Sequence, residues 1–314
     1  MERYNGFLDL DKYFKNLHNN SWFTFLFQAK KHIKVYDRYR GQYWINLNNQ
    51  EYFFKPTDNP YSELIAYRCA KYLDIKATPY DLAMFTDKKG VISQNFRKEN
   101  CSYVSGCTVL NDFIKNPDNV AYLRLMGFRE REKYLLSWKY INNLEVISQA
   151  IEYKYKDQNK NYKEAIYKMV VYFIFNILLC QNDGMAPNWE LEENENKISL
   201  APIYDNEMCF ASKNKGINMS NLSTNFNDAK LSNEKKLDEF LTVSSKEFVE
   251  LFLEKYESLS VDIFTKIIQS VENSIDNYIP SEVKENIMAS FIENREKLEE
   301  VLNKHNLIRT RKKC

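Results

Sequence analysis

The chain has 314 residues, of which 44% are hydrophobic, 28% charged and 15% aromatic, with only 7 Gly and 7 Pro; this composition supports a sizeable core and argues against long disordered stretches. With 44 basic and 43 acidic residues the net charge is +1, so no global field draws the chain to nucleic acid or an anionic membrane. Six cysteines without a CxxC pair, and histidines only at 18, 32 and 305, offer no zinc spacing and fit a reducing setting.

The start, MERYNGFLDLDKYF, carries acids and no apolar run, so it does not read as a signal peptide. Residues 32–36, 42–46 and 51–55 are rich in Tyr, Trp, Phe, Ile and Val and read as three short strands. Turn-like stretches at 37–41 and 47–50 separate them. After Asp58-Asn59-Pro60 a helix is expected over 61–73, with Leu64, Ile65, Ala66, Cys69, Ala70 and Leu73 on one stripe. Strands at 80–85 and 91–96 follow, joined by a turn at 87–90.

The character of the chain changes near residue 100, from short alternating segments to long helical periods. Helices are expected over 122–137, 144–154 and 162–180. The apolar stretch Met169–Cys180 is too short to span a bilayer and reads as a buried helix. A β-hairpin is expected from 188–191 and 198–203, then a long Asn- and Ser-rich loop over 205–231. Helices at 234–256, 260–278 and 281–304 close the chain. Ser244 with Glu247 has capping-box spacing, which would divide the first of these three in two. The basic tail 309–313 (RTRKK) reads as a solvated end. The expectation is an α+β, two-lobed, protein-kinase-like fold: a β-rich lobe over 1–100 and a larger, mostly helical lobe over 101–314.

The chemistry concentrates in QNDGMAPNWELEENENKISLAPIYDNEMCF, residues 181–210. Asp183 follows the end of the apolar helix, Asn188 stands at the hairpin entrance, and Asp205 stands at its exit, so the hairpin would bring the last two close together. Alone, Asp183 or Asp205-Asn206 would be a turn and Asn188 a strand edge. Together they form a set suited to phosphoryl transfer. One carboxylate orients and deprotonates an attacking hydroxyl, while Asn188 and Asp205 supply neutral and charged oxygens to magnesium. Lys55, ending the third strand, would supply a cation to the phosphates, and Glu63, opening the next helix, would pair with it. A lone strand-end lysine is usually solvated, and a first-turn acid usually serves the helix dipole; the downstream Asp–Asn–Asp set is what raises both.

On FFKP, YSELIAYRCAKYLDI, GVISQNF, FNILLCQNDGMAPNWEL and ISLAPIYDNEMCF, with a weaker match in SFIENREKLEEVL, the sequence resembles the HipA-like serine/threonine kinases from about residue 43 to 302. The resemblance implies Asp183 as catalytic aspartate, Asn188 and Asp205 as magnesium ligands and Lys55 on the ATP phosphates. It also implies backbone around Gln94, Asn95 and Phe96 at the adenine, with Phe96 packing on the base. The chain departs from the family at Met185, where the family has His. Its phosphate-covering segment Tyr39-Arg40-Gly41-Gln42 has a single glycine. It reads as a short, kinase-only member, cytoplasmic or a secreted effector acting inside a host cell.

The function implied is ATP- and Mg-dependent transfer to Ser/Thr of a protein, by a toxin or effector kinase with a regulatory or antitoxin partner and no membrane. Autophosphorylation would fall in the 205–231 loop at Ser212, Ser220, Ser223 or Thr224. Two alternatives stay open: a weak or inactive nucleotide-binding module, and a kinase for a small molecule. A DNA-binding role is disfavoured by the charge balance and the lack of a helix-turn-helix with clustered Arg.

Overall fold

The computed structural model describes residues 3–4, 6–11, 33–37, 40–47, 50–125, 143–158, 160–181, 183–184, 186–210 and 233–308. Tyr39, Met185, Ser212, Ser220, Ser223, Thr224, the basic tail and residues 126–137 of the helix expected over 122–137 lie outside them. The chain forms two compact units. One comprises Met1–Phe96, Asp205–Cys209 and Leu259–Ile287; the other comprises Arg97–Tyr204, Phe210–Ser258 and Met288–Cys314.

The first unit is built on a seven-stranded sheet of β1 (Arg3–Tyr4), β2 (Phe7–Asp9), β3 (Ile33–Asp37), β4 (Gln42–Leu47), β5 (Gln50–Pro56), β6 (Tyr80–Phe85) and β7 (Lys88–Gln94). Their order is β1-β2-β6-β7-β5-β4-β3, antiparallel except for the β2–β6 pair. β1 and β2 were not expected, because two- and three-residue strands are too short for periodicity to mark. Phe54, Ile45, Leu47, Phe85 and Ile92 form the core on one face, where the Phe54 and Phe85 rings meet edge to face at 5.7 Å. Side chains alternate along a strand, so Lys55 points to the opposite face from Phe54. Helix α1 (Pro60–Tyr72) starts on a proline, whose missing N–H is no loss at a first helical position. It buries the expected stripe Leu64, Ile65, Ala66, Cys69 and Ala70.

The expected turn at 87–90 is a correction. The chain reverses at Thr86 and Asp87, both in the left-handed region at φ 51° and 59°, and Phe85 pairs directly with Lys88. This is the two-residue turn whose twist suits a hairpin. Gly90 therefore lies in β7, not in the turn. The strand that was expected at 91–96 begins and ends earlier, at Lys88 and Gln94. A Cβ on Gly90 would lie 2.2 Å from the Lys55 carbonyl oxygen and 2.7 Å from Pro56 Cα, so the glycine serves close approach of two strands.

In the second unit, α2 (Gly106–Ile114), α3 (Pro117–Leu125), α4 (Leu144–Tyr155), α5 (Lys163–Leu178), α6 (Asn233–Val243) and α7 (Lys246–Ser258) accompany a small antiparallel sheet of β8 (Ser102–Ser105), β9 (Glu190–Glu193) and β10 (Ile198–Leu200), against which α2 and α5 pack. The Ser105 hydroxyl caps α2 by accepting from the Thr108 N–H at 3.2 Å, and the Asn143 side chain caps α4 through the Glu145 and Val146 N–H groups. The apolar α5 buries Met169, Val170, Tyr172, Ile174, Phe175, Ile177 and Leu178. The stretch 234–256 is two helices, broken at Ser244 and Ser245, where the Ser244–Glu247 spacing offered a division. Asn188, expected to open a strand, ends a one-turn 3₁₀ helix, Ala186–Asn188, and β9 starts two residues later. Helix α8 (Val261–Ile275) belongs to the first unit, and α9 (Ser281–Lys304) has its residues from Met288 onward in the second. Among the described residues no helix is long and apolar enough to cross a membrane.

Gly90→Ala is expected to lower first-unit stability by about 1–3 kcal/mol, because the clash is with backbone that cannot rotate away; thermal unfolding measures it, as a lowered Tm.

Candidate functional site

In the first unit, three carboxylates converge on one lysine. Lys55 Nζ lies 2.9 Å from Glu63 Oε1 and 3.3 Å from Glu207 Oε2, and it also donates to Asp205 Oδ1. Position 55 is placed by the β5–β7 ladder, in which Lys55 faces Val91. Glu63 comes from the first turn of α1 and is fully buried. Its second oxygen accepts the Asn206 N–H at 2.8 Å, and the Tyr80 hydroxyl accepts the Asp205 N–H at 3.2 Å. The 205–209 segment is thus fastened by main-chain amides to side chains of α1 and β6, with Asp205 itself at φ 60°.

The electrostatics follow from this crowding. Burial works to lower the Lys55 pKa, but Glu63, then Asp205 and Glu207, hold the ammonium well above the ordinary lysine range. Burial pushes the Glu63 carboxyl up, opposed by Lys55. We place the shared proton on Lys55: both Glu63 oxygens accept a hydrogen bond, one from the ammonium and one from an amide, which is the pattern of a carboxylate. Burial, then the Glu63 charge, keeps the Tyr80 phenol protonated.

Gln94, Asn95 and Phe96 lie further along the chain. Gln94 pairs with Tyr52, three residues beyond the Val91 that faces Lys55. The Asn95 N–H is taken up by the Glu51 carbonyl at 2.8 Å, and its side-chain amide donates to the Glu51 carboxylate at 3.0 Å.

In the second unit, the segment carrying Asp183 and Asn188 hangs from the C-terminus of α5. Four carbonyls at a helix end have no partner within the helix, and here each of the last ones is met. The Asn176 carbonyl accepts from Gln181 N–H at 2.9 Å, and Ile177 from Cys180 N–H at 3.4 Å. With Cys180 at φ 54°, this is a Schellman motif formed without glycine. Asn294, buried on α9, donates at 3.0 Å to both Ile177 and Leu178 carbonyls, and the Phe210 N–H closes on Leu179. The buried Gln181 side chain then accepts the Asp183 N–H at 3.2 Å. Asn188 Nδ2 donates to the Asp183 carbonyl at 2.6 Å, so its Oδ1 is the atom left to ligate. Gly106 N–H donates to the Trp189 carbonyl at 3.0 Å, and a Cβ at Gly106 would lie 2.5 Å from the Ala186 carbonyl oxygen; the 186–189 turn is packed directly on the start of α2. Tyr204, the residue before Asp205, donates to the Pro187 carbonyl at 3.2 Å.

Within its unit, the structure brings Lys55, Glu63 and Asp205 together, and within the other it joins Asp183 to Asn188. Sequence reasoning missed Tyr80, Asn206, Glu207, Gln181 and Asn294. Glu207 had a signal, a second acid two residues after Asp205; the others act through main-chain contacts that no spacing reveals. Among the described residues, no three or more His, Cys, Asp or Glu side chains are arranged to hold a metal.

The sequence model of the family described as HipA-like C-terminal domain matches residues 27–278. Among solved structures, the Helicobacter pylori proinflammatory kinase CtkA is similar over 84% of this chain and 93% of its own, with a TM-score of 0.59 at 19% identity. HipA from the Shewanella oneidensis MR-1 toxin–antitoxin complex with HipB and operator DNA matches over 87% of this chain and 66% of its own, with a TM-score of 0.49 at 14% identity. No curated protein matches the sequence. The fold is kinase-like, on the likeness to CtkA.

Asn294→Leu is expected to destabilise the second unit by about 1–3 kcal/mol, since it strands buried carbonyls of α5. Asn294→Asp, the same shape with an acceptor where a donor is needed, should be at least as damaging; urea unfolding of the three proteins measures both.

Proposed function

The chain belongs to the HipA-like C-terminal domain family, and we propose that it is an ATP- and magnesium-dependent kinase that phosphorylates Ser or Thr of a protein. The observation that carries this reading is the Lys55 ammonium held by Glu63 from a neighbouring helix and facing Asp205. A lysine so held is aimed and permanently charged, as a phosphate ligand must be.

In this reading Lys55 binds the nucleotide phosphates, and Glu63 keeps it from turning away. Asp183 orients the acceptor hydroxyl and takes its proton; the hydrogen bonds from its N–H to Gln181 and from Asn188 to its carbonyl hold that backbone in place. Asn188 Oδ1 and the carboxylate of Asp205 are the protein ligands for magnesium. The donor set fits that ion: one carboxylate and one neutral oxygen suffice for a cation that keeps waters and phosphate oxygens in its remaining positions. Asp205 is reachable, with its side chain 34% exposed. Bound magnesium supplies charge neutralisation to the transferring phosphoryl group. The segment 94–96 is read as the adenine contact, through groups other than the Asn95 N–H.

A second reading, nucleotide binding without turnover, is motivated by Met185, which stands where the family has His. The two separate in one experiment with labelled ATP, magnesium and a general protein acceptor. Asp183→Ala should lose about 10²–10⁴-fold in phosphoryl transfer while keeping nucleotide affinity. Asp205→Ala should lose transfer and magnesium-dependent affinity together. Turnover near wild type in Asp183→Ala contradicts the assignment of the base; binding with no transfer by the unaltered protein supports the second reading.

A further inference from the structure

Glu207 has no place in the chemistry above, yet its carboxylate is 3.3 Å from the Lys55 ammonium. Glu63 and Asp205 already contact the same nitrogen. One acid is enough to compensate a buried lysine. With three, the cluster carries a net excess of two negative charges at the atom that is to receive a phosphate. The excess is on its accessible side. Glu63 is fully buried, whereas the Glu207 and Asp205 side chains are 32% and 34% exposed. Glu207 follows Asp205 by two residues, on a segment fixed by the Asn206 N–H to Glu63 and the Asp205 N–H to Tyr80, so its backbone is not free to carry the charge away.

A polyphosphate approaching Lys55 therefore comes upon two half-buried carboxylates that are more accessible than the ammonium, whose side chain is 10% exposed. At contact distances such like-charge opposition is large and only partly screened, since the group is half enclosed. A divalent cation arriving with the phosphate matches the excess charge.

We infer that Glu207 is a selectivity residue that bars metal-free nucleotide from Lys55, so that the site admits a nucleotide only together with a divalent cation. The inference rests on the nucleotide-binding reading of this site, and it assigns Glu207 a role distinct from that of Asp205. A structural role alone would make removal of Glu207 weaken binding under all conditions. A selectivity role makes removal strengthen one kind of binding, metal-free, that the unaltered protein rejects.

The test is calorimetric titration of ATP into the full chain and into Glu207→Gln, with magnesium and, separately, with EDTA at matched ionic strength. Tripolyphosphate serves as a parallel probe of the phosphate end alone. The expected result is that Glu207→Gln binds metal-free ATP and tripolyphosphate about tenfold more tightly than the unaltered chain does, which narrows the ratio of metal-free to magnesium-loaded affinity. If both proteins bind Mg–ATP but reject free ATP equally, this inference is overturned and the nucleotide reading stands. If neither binds nucleotide with magnesium present, the nucleotide reading fails and the inference falls with it. If Glu207→Gln loses affinity equally with and without magnesium, Glu207 is structural and the inference is wrong.

Discussion

A buried lysine must be compensated, and in this protein the compensation organises the first unit. Lys55 is 8% exposed and Glu63 is completely enclosed. Removing the Lys55 charge would leave the enclosed Glu63 carboxylate without its ionic partner in a poorly solvating interior, which is far less favourable than the pair. The pair ties β5 to the first turn of α1. Because Glu63 also takes the Asn206 amide and Lys55 takes Asp205 and Glu207, a five-residue piece from late in the chain is drawn into a unit otherwise made of residues up to 96 and 259–287. Gly90 has its meaning in the same place. Only a residue without a side chain lets β7 approach the Lys55 backbone closely enough for the ladder that fixes the lysine.

The second unit solves a different problem, the exposed carbonyls at the end of a long apolar helix. α5 stops at Leu178 because Cys180 enters the left-handed region and the Schellman bonds close the turn. Two side chains then do what main chain cannot. Asn294 satisfies two carbonyls from outside the helix, and Gln181 holds the Asp183 amide. Asp183 and Asn188 are thereby carried on a rigid helix end and a turn packed against Gly106, which is the kind of support a positioned acid–base group needs.

Much of this was legible in the sequence, for reasons that can be named. The α1 stripe and the apolar α5 are long enough for a 3.6-residue period to show. The strands β4 to β6 are recognisable from aromatic and β-branched residues between breakers. Lys55, at a strand end, and Glu63, at a helix start, could be proposed as partners because the downstream Asp183, Asn188 and Asp205 set called for a cation on the phosphates. What was not legible is of two kinds. β1, β2 and β8 are too short to carry a period. The contacts of Tyr80, Gln181 and Asn294 depend on which main-chain atoms the folded chain presents, and their own neighbours in sequence say nothing of that. Gly90 illustrates the ambiguity well: after Asp87, Lys88 and Lys89 it looks like a turn glycine, and only the strand register shows it to be a close-approach glycine. Periodicity likewise marks Val261–Ile275 as a helix but not which unit takes it up.

The central claim is that the Lys55 ammonium, held by Glu63, is a phosphate ligand and that Asp205 ligates magnesium. A crystal structure with magnesium and a non-hydrolysable ATP analogue tests it most directly. The account predicts Lys55 Nζ donating to a phosphate oxygen while keeping Glu63, with the Asp205 carboxylate turned from the ammonium to the metal. Nucleotide bound elsewhere, with Lys55 still enclosed by Glu63, Asp205 and Glu207, would contradict it.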